Sequence, residues 1–211
     1  MKDLIIPIVF PEYRISVTTP RVQVDVFPWS DFDNYSIPST KQRFSNLGHA
    51  GVLLVNGRNG VTKYYEYGTY DPPEYRGLIR RVPLPDAKVD QNGIILSSLI
   101  APLNKISKIA DQGGKIEAVF LAAKDVFSKL NQMIWARKLQ NKNPKRKPYS
   151  LTSNSCIHFV KWVVKASGKE IPWMIDPRPN SYIGEFRDDY RDLDYSPKTK
   201  LLRIEDVGEF K

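Results

Sequence analysis

The chain has 211 residues, of which 41% are apolar, and a formal net charge of +9. The apolar content excludes a disordered chain, and the length predicts a single domain, residues 1–211, with loop-rich extensions. A basic surface favours polyanionic partners, but the basic run Lys142, Lys145, Arg146 and Lys147 is interrupted by Asn and Pro. That pattern is typical of a solvated loop, so we expect no nucleic-acid partner.

The first residues, 1–14, contain an apolar run broken by Pro7 and Pro11. This segment has neither a long apolar core nor a small-residue cleavage site, so we expect no signal peptide. No stretch approaches the roughly 18 apolar residues of a membrane span. If the protein acts outside the cytoplasm, a route other than the general secretory one must deliver it.

In chain order, residues 1–45 are expected to be extended and punctuated by proline, with a strand at 22–27. The β-rich runs 49–55 and 61–67 are separated by Gly and Asn, which predicts a hairpin. A Pro- and Gly-rich connection follows over 68–92, with one further strand at 78–82.

Apolar residues recur at three- and four-residue spacing over 115–140, which predicts a helix that ends in the Asn- and Pro-containing segment 141–148. A second helix is predicted from Cys156 to Ala166, with Gly168 just beyond its end. Its cap could be Ser153, Asn154 or Ser155. Polar loops and a strand at 200–204 complete the predicted α+β chain.

Cys156 is the only cysteine, so no intrachain disulfide can form. It is predicted in the first turn of a helix, where unpaired backbone N–H groups and the helix dipole stabilise a thiolate. A thiolate is the reactive form of cysteine, so this position suits a nucleophile. From position alone, a buried structural cysteine is the more common alternative.

A cysteine nucleophile generally needs a base, and the chain has only two histidines, His49 and His158. His158 follows Cys156 by two positions, which on a helix turns its side chain by about 200°. His49 opens a predicted strand, to which a helix N-terminus can pack. We therefore predict His49 as the base and a packing or hydrogen-bonding role for His158.

A base histidine usually has an orienting acceptor on its second ring nitrogen. If the hairpin turn centres on Arg58, Gly51 opposes Tyr65, and a register shifted by one residue brings Glu66 there instead. Glu66 is the preferred third residue and Tyr65 the alternative. With no CxxC pair and no HExxH motif, we expect no metal and no cofactor.

Two motifs carry a resemblance to a known family. The segment 154–160, NSCIHFV, resembles the N-C-x-H-F-V nucleophile motif of the permuted branch of NlpC-like, papain-like proteins, with one extra Ser before the cysteine. Gly48-His49-Ala-Gly-Val resembles that branch's histidine strand. The hairpin sequence is also similar to type VI secretion effectors that cleave peptidoglycan amide bonds. The family's third polar residue is often His, which this chain replaces by Glu66 or Tyr65.

The resemblance implies a permuted papain-like fold of the NlpC type, an antiparallel sheet packed against helices that include the nucleophile helix. It implies an antibacterial cysteine peptidase or amidase that hydrolyses peptidoglycan stem peptides through Cys156 and His49. Such an effector is made in the cytoplasm, carried by a secretion machine into the periplasm of a target bacterium, and countered by an immunity protein. The alternatives are an acyltransferase or lipid hydrolase of the lecithin:retinol acyltransferase type, and a non-catalytic basic binding module.

Overall fold

A computed structural model describes residues 1–13, 15–18, 22–25, 34–37, 41–44, 48–68, 77–150, 152–174 and 176–211. Between residues 15 and 44 it describes only the backbone of short strands. The strands are β1 (Lys2–Phe10), β2 (Ile15–Thr18), β3 (Val22–Asp25), β4 (Asn34–Ile37), β5 (Lys41–Phe44), β6 (His49–Val55), β7 (Thr62–Gly68), β8 (Leu78–Val82), β9 (Val89–Asp90), β10 (Gly93–Ile94), β11 (Ile116–Lys124), β12 (Arg191–Ser196), β13 (Leu201–Ile204) and β14 (Gly208–Phe210).

An eight-stranded sheet of order β14-β13-β12-β11-β1-β6-β7-β8 dominates the described part, and all its neighbouring strands are antiparallel. The α-helices are α1 (Ile100–Ala110), α2 (Phe127–Leu139), α3 (Cys156–Ala166) and α4 (Pro179–Asp189), with 3₁₀ turns at Leu96–Leu99 and Gln140–Lys142. Helices α2, α3 and α4 bury their apolar residues against one face of the sheet, and α1 covers the other. The predicted α+β class with an antiparallel sheet and a Cys156 helix is confirmed.

The predicted hairpin is β6–β7, and its register pairs Gly51 with Glu66, which is the shifted alternative. The strand predicted at 78–82 is β8, and the strand predicted at 200–204 is β13, which begins one residue later. Of the strand predicted at 22–27, residues 22–25 form β3, whereas 26 and 27 lie outside the described residues.

The single helix predicted over 115–140 is wrong, because residues Ile116–Lys124 form the central strand β11 and only Phe127–Leu139 are helical. This strand contributes buried side chains to the cores on both faces of the sheet, so it lacks the alternation that marks a half-buried strand. The sequence near residue 127 also gives no local signal for the start of α2. Its first N–H groups, on Val126 and Phe127, donate to the buried carboxylate of Asp3 at 2.7 and 2.8 Å.

The N-terminal apolar run, which we expected to be extended, is the central strand β1 between β6 and β11. Pro7 lacks an N–H group, and the pairing with β11 is interrupted between Ile5 and Ile8. Residues 179–189 were predicted as loop but form α4, which begins with Pro179 at its N-terminus, a position that suits proline. Tyr182, Ile183 and Phe186 anchor this helix in the core.

Asn141 closes part of the outer edge of β8, which is the last strand of the described sheet. Its side-chain amide accepts from the N–H of Ile79 at 2.9 Å and donates to the C=O of Ile79 at 2.8 Å. These are the two backbone groups that a neighbouring strand would otherwise pair. No helix among the described residues is long and apolar enough to cross a membrane.

Candidate active site

Cys156 begins α3, and Ser155 is the cap residue among the three candidates. The structure also shows what His158 does: its Nδ1 lies 2.8 Å from the hydroxyl of Ser155 and accepts from the Ser155 N–H at 3.4 Å. The two residues form a capping box that fixes the start of the helix. His158 thus serves the helix terminus, in agreement with the predicted hydrogen-bonding role.

His49 and Glu66 meet because the hairpin register puts them on one face. Gly51 pairs with Glu66, and His49 lies two positions before Gly51 on the same side of β6. The Nε2 atom of His49 is 3.3 Å from Oε2 of Glu66. The hydroxyl of Tyr65, the alternative third residue, instead donates to Oδ1 of Asn131 on α2 at 2.7 Å. The structure therefore places Glu66 and not Tyr65 beside His49.

Helix α3 packs against β6 so that Cys156 reaches the beginning of that strand. The Cys156 thiol hydrogen-bonds with the His49 side chain and with the backbone of Ala50. All three residues are buried, with relative exposures of 2% for Cys156, 5% for His49 and 0% for Glu66.

The pKa values of this group shift in opposite directions. Burial opposes protonation of His49, but hydrogen bonds to Cys156 and Glu66 outweigh it and raise the pKa of His49 to about 10. Burial likewise opposes ionisation of Cys156, yet the hydrogen bond from His49 lowers the net pKa of the thiol below its usual value. A thiolate–imidazolium pair is the protonation state that both shifts favour.

Glu66 divides its two oxygens among three partners. Oε2 accepts from His49 and, at 3.1 Å, from the hydroxyl of Tyr64, while Oε1 accepts from the guanidinium of Arg80. Burial raises the pKa of Glu66, but the hydrogen bonds and charges of His49 and Arg80 outweigh it, so the net pKa is lowered. No motif in the sequence identified Arg80 or Tyr64 as part of the site. Only the alternation of side chains between the two faces of the predicted strand at 78–82 could have suggested Arg80.

Two further tyrosines surround the thiol and imidazole, and no sequence pattern marked them. The hydroxyl of Tyr149 accepts a hydrogen bond from the backbone N–H of Cys156 at 3.3 Å, and its side chain also bonds to the thiol. Burial, and then the nearby charge of Cys156, raise the pKa of Tyr149. The ring of Tyr13 lies 5.0 Å from that of His49. The two rings cover the site from different parts of the chain.

Steric constraints explain why glycine is found at positions 48 and 51, on either side of His49 and Ala50. Gly48 has a φ of +74°, which favours glycine, and a Cβ there would meet the side chain of Asn180 at 2.0 Å. A Cβ on Gly51 would lie 2.2 Å from the hydroxyl of Tyr64, the group that bonds Glu66. The motif Gly48-His49-Ala-Gly51 therefore makes room for the side chains that hold the site together.

The fold and the site together define an α+β protein with a buried cysteine, histidine and glutamate at the start of a helix and on an adjacent hairpin. Residues 5–171, which include all three, match the family described as type VI secretion system effector TseH-like. The chain belongs to this family of type VI secretion system effectors.

A solved structure supports the same relationship. The crystal structure of the type VI secretion system effector TseH is similar to this protein with a TM-score of 0.74 and 32% sequence identity. The similarity covers 96% of this chain and 97% of that chain. A search of curated proteins gave no match.

Proposed function

We propose that this effector is an antibacterial cysteine amidase that hydrolyses amide bonds in peptidoglycan stem peptides. The observation that carries the proposal is the hydrogen-bonded series Cys156–His49–Glu66, in which the thiol pKa is lowered and the imidazole pKa is raised. A depressed thiol pKa beside a histidine is the usual preparation of a cysteine nucleophile.

The reaction would begin from the thiolate–imidazolium pair. The Cys156 sulfur attacks the amide carbonyl carbon, and the C=O electrons move onto oxygen to give a tetrahedral intermediate. As that intermediate collapses, the C–N bond breaks and the departing nitrogen takes the proton of His49, leaving a thioester. Neutral His49 then accepts a proton from water, whose oxygen attacks the thioester and frees the acid and the thiolate.

Glu66 and the backbone of Cys156 would assist these steps without bonding to substrate carbon. Glu66 orients the imidazole and stabilises its charged form, and Arg80 holds Glu66 in place. The Cys156 N–H is suited to the developing oxyanion. It currently donates to the Tyr149 hydroxyl, so the substrate oxygen would replace that acceptor.

The same proposal takes residues 1–211 as one permuted papain-like domain of the NlpC type. In its support, β1 near one end of the chain and β12 to β14 near the other belong to the sheet that carries His49 and Glu66. Membership of the effector family supports a secretion-machine carrier, an immunity protein in the producing cell and action in the periplasm of the target cell.

The test is digestion of purified peptidoglycan followed by mass spectrometry of the released fragments. We expect products that have gained one water across an amide bond, and none from the Cys156→Ala protein, which should keep its fold. Equal release by the two proteins would refute a cysteine mechanism. Cysteine-dependent cleavage of lipid esters with intact peptidoglycan would favour the lipid-hydrolase alternative, and a thiol without enhanced reactivity would favour a binding module.

A further inference from the structure

A basic cleft of about 330 Å³ lies beside the candidate active site. It is formed by β7, β8, the end of α2 and the segment that follows α2. Four of its described lining residues are cationic and none is acidic; the cations are Arg137, Lys145, Arg146 and Lys147. Side-chain amides, including those of Asn143 and Asn154, provide further hydrogen-bonding groups. The cleft therefore has the composition of an anion site.

Short contacts connect this cleft to the nucleophile. Asn154 lines it two positions before Cys156 and donates to the hydroxyl of Tyr67 at 2.8 Å. The ring of Tyr67 also lines the cleft and stacks on Tyr149, with 5.8 Å between centroids. Tyr149 in turn bonds Cys156. Along this path, two aromatic side chains, Tyr67 and Tyr149, connect a molecule seated in the cleft to Cys156.

Arg137 presents a fixed guanidinium to the cleft. Its Cζ lies 5.1 Å from the ring centroid of Tyr67, 5.7 Å from Phe159 and 5.0 Å from Trp162. One nitrogen also donates to Oδ1 of Asn154 at 3.4 Å. No carboxylate in the described part of the chain forms an ion pair with it. Aromatic faces attract the cation but do not neutralise its charge, so an anionic ligand would find it available.

Arg146 is held at the rim by backbone carbonyls. Its Nε donates to the C=O of Gly77 and its Nη1 to the C=O of Asn143, both at 3.2 Å. As with Arg137, no ion pair with a described carboxylate is formed. The segment that the sequence marked as a solvated basic loop thus fixes one of its cations toward the cleft. Such anchoring reduces the entropy lost when a ligand binds.

We propose that this cleft binds a carboxylate of the peptide substrate and so positions the scissile amide over Cys156. Guanidinium groups suit a carboxylate, because their N–H groups form strong, charge-assisted hydrogen bonds to its oxygens. The volume lies at the lower end of the roughly 300–1,000 Å³ typical of ligand pockets, which suits part of a short peptide. The inference rests on the proposed function, because it supplies that reaction with a substrate class: peptides bearing a free carboxylate near the cleaved bond.

The test measures binding without turnover, in the Cys156→Ala protein. The probe is a synthetic acidic tetrapeptide with free carboxylates, and its matched control is the same peptide with those groups amidated; calorimetry gives both dissociation constants. We expect the amidated peptide to bind about tenfold more weakly, and Arg146→Gln to weaken the free-carboxylate peptide by a similar factor. Arg191→Gln removes the same charge from an exposed position on β12 and should leave binding unchanged.

Three results would overturn the proposal: equal binding of the two peptides, equal effects of Arg146→Gln and Arg191→Gln, or complete displacement of the peptide by an equal concentration of inorganic phosphate. In the protein that keeps Cys156, Arg146→Gln should leave the rate of thiol alkylation unchanged, which separates lost recognition from a damaged site. The peptidoglycan digest decides the proposed function independently. If the protein digests peptidoglycan but binds the two peptides equally, the proposed role of the cleft is wrong and the proposed function stands.

Discussion

The hydroxyl of Tyr149 lies 3.3 Å from the backbone nitrogen of Cys156 and accepts its hydrogen bond. In the proposed mechanism, the same N–H group would donate to the oxyanion. The same side chain hydrogen-bonds the thiol and helps to lower its pKa, after the larger contribution of His49. Under the proposed mechanism, Tyr149 would therefore have two separable effects: it would stabilise the resting thiolate, and it would give up its acceptor position when substrate binds.

Tyr149→Phe should raise the pKa of Cys156, because the thiolate loses a hydrogen-bond donor. The measurement is the rate of alkylation against pH. In the unaltered protein its midpoint should lie below about 8.5, the value of a free thiol, and Tyr149→Phe should move it up by roughly one pH unit. Tyr65→Phe is the control, since that hydroxyl bonds Asn131. An unaltered protein with a midpoint at or above 8.5 would contradict the assignment of Cys156.

His49→Ala should abolish turnover, with a loss of at least about 100-fold, because proton transfer by a positioned histidine contributes roughly 10²–10⁴-fold. It should also raise the thiol pKa, since His49 is the main group that lowers it. His158→Ala should retain substantial activity and lose only some thermal stability, since that ring serves the capping box. The rates of both variants on one substrate decide the matter, and a reversed order would show that the base is misassigned.

Glu66→Gln should lower the rate less than His49→Ala does, since Glu66 orients the base without transferring the proton. The pKa of His49, raised to about 10, should fall in this variant because a stabilising charge is lost. The thiolate–imidazolium pair would then persist over a narrower range, and activity should decline at a lower alkaline pH. A pH–rate profile measures this. If Tyr65→Phe collapsed the rate while Glu66→Gln left it intact, the orienting role would pass to Tyr65.

Gly51→Ala should destabilise the protein by about 1–3 kcal/mol, the usual cost of overpacking a core, because the new Cβ would meet the Tyr64 hydroxyl. Gly184→Ala is the matched substitution: nothing lies within 4 Å of its Cβ position, and it is in helix α4. There, alanine should stabilise the protein by about 0.5–1 kcal/mol. Denaturant unfolding gives both free energies. Equal effects of the two substitutions would show that a Cβ at position 51 does not clash with the Tyr64 hydroxyl.

The compartment of action can be tested in a Gram-negative host. The protein should be tolerated in the cytoplasm and should lyse cells when fused to a periplasmic signal, because stem peptides lie outside the inner membrane. Having one cysteine, it needs no disulfide in either compartment. Optical density after induction, with Cys156→Ala in both compartments as control, provides the measurement. Killing from the cytoplasm, or equal killing by Cys156→Ala, would exclude peptidoglycan as the target.

The sequence was most informative where the signals were local. Glycine and asparagine marked the β6–β7 hairpin, and small polar residues marked the start of α3, so Cys156, His49 and Glu66 could be selected before their contacts were known. The register was ambiguous by one residue, which is why Tyr65 remained an alternative. The hairpin register in the structure places Glu66 beside His49, while the catalytic roles of Cys156, His49 and Glu66 stay predictions.

Long-range partners could not be predicted in the same way. Asp3 caps α2 from more than 120 residues away in the chain, so no local sequence signal marked the boundary between β11 and α2. Tyr149 and Arg80 reach the site from segments without a recognisable motif. The helix prediction over β11 was wrong because burial on both faces gives a continuous apolar run, which periodicity alone does not distinguish from a helix.

The amide of Asn141 has a consequence for the outer edge of β8. An exposed edge strand offers unpaired N–H and C=O groups as a template on which other chains can add and aggregate. At Ile79 both groups are already bound by Asn141. A strand from another chain would have to displace the Asn141 amide before it could pair with β8 at Ile79.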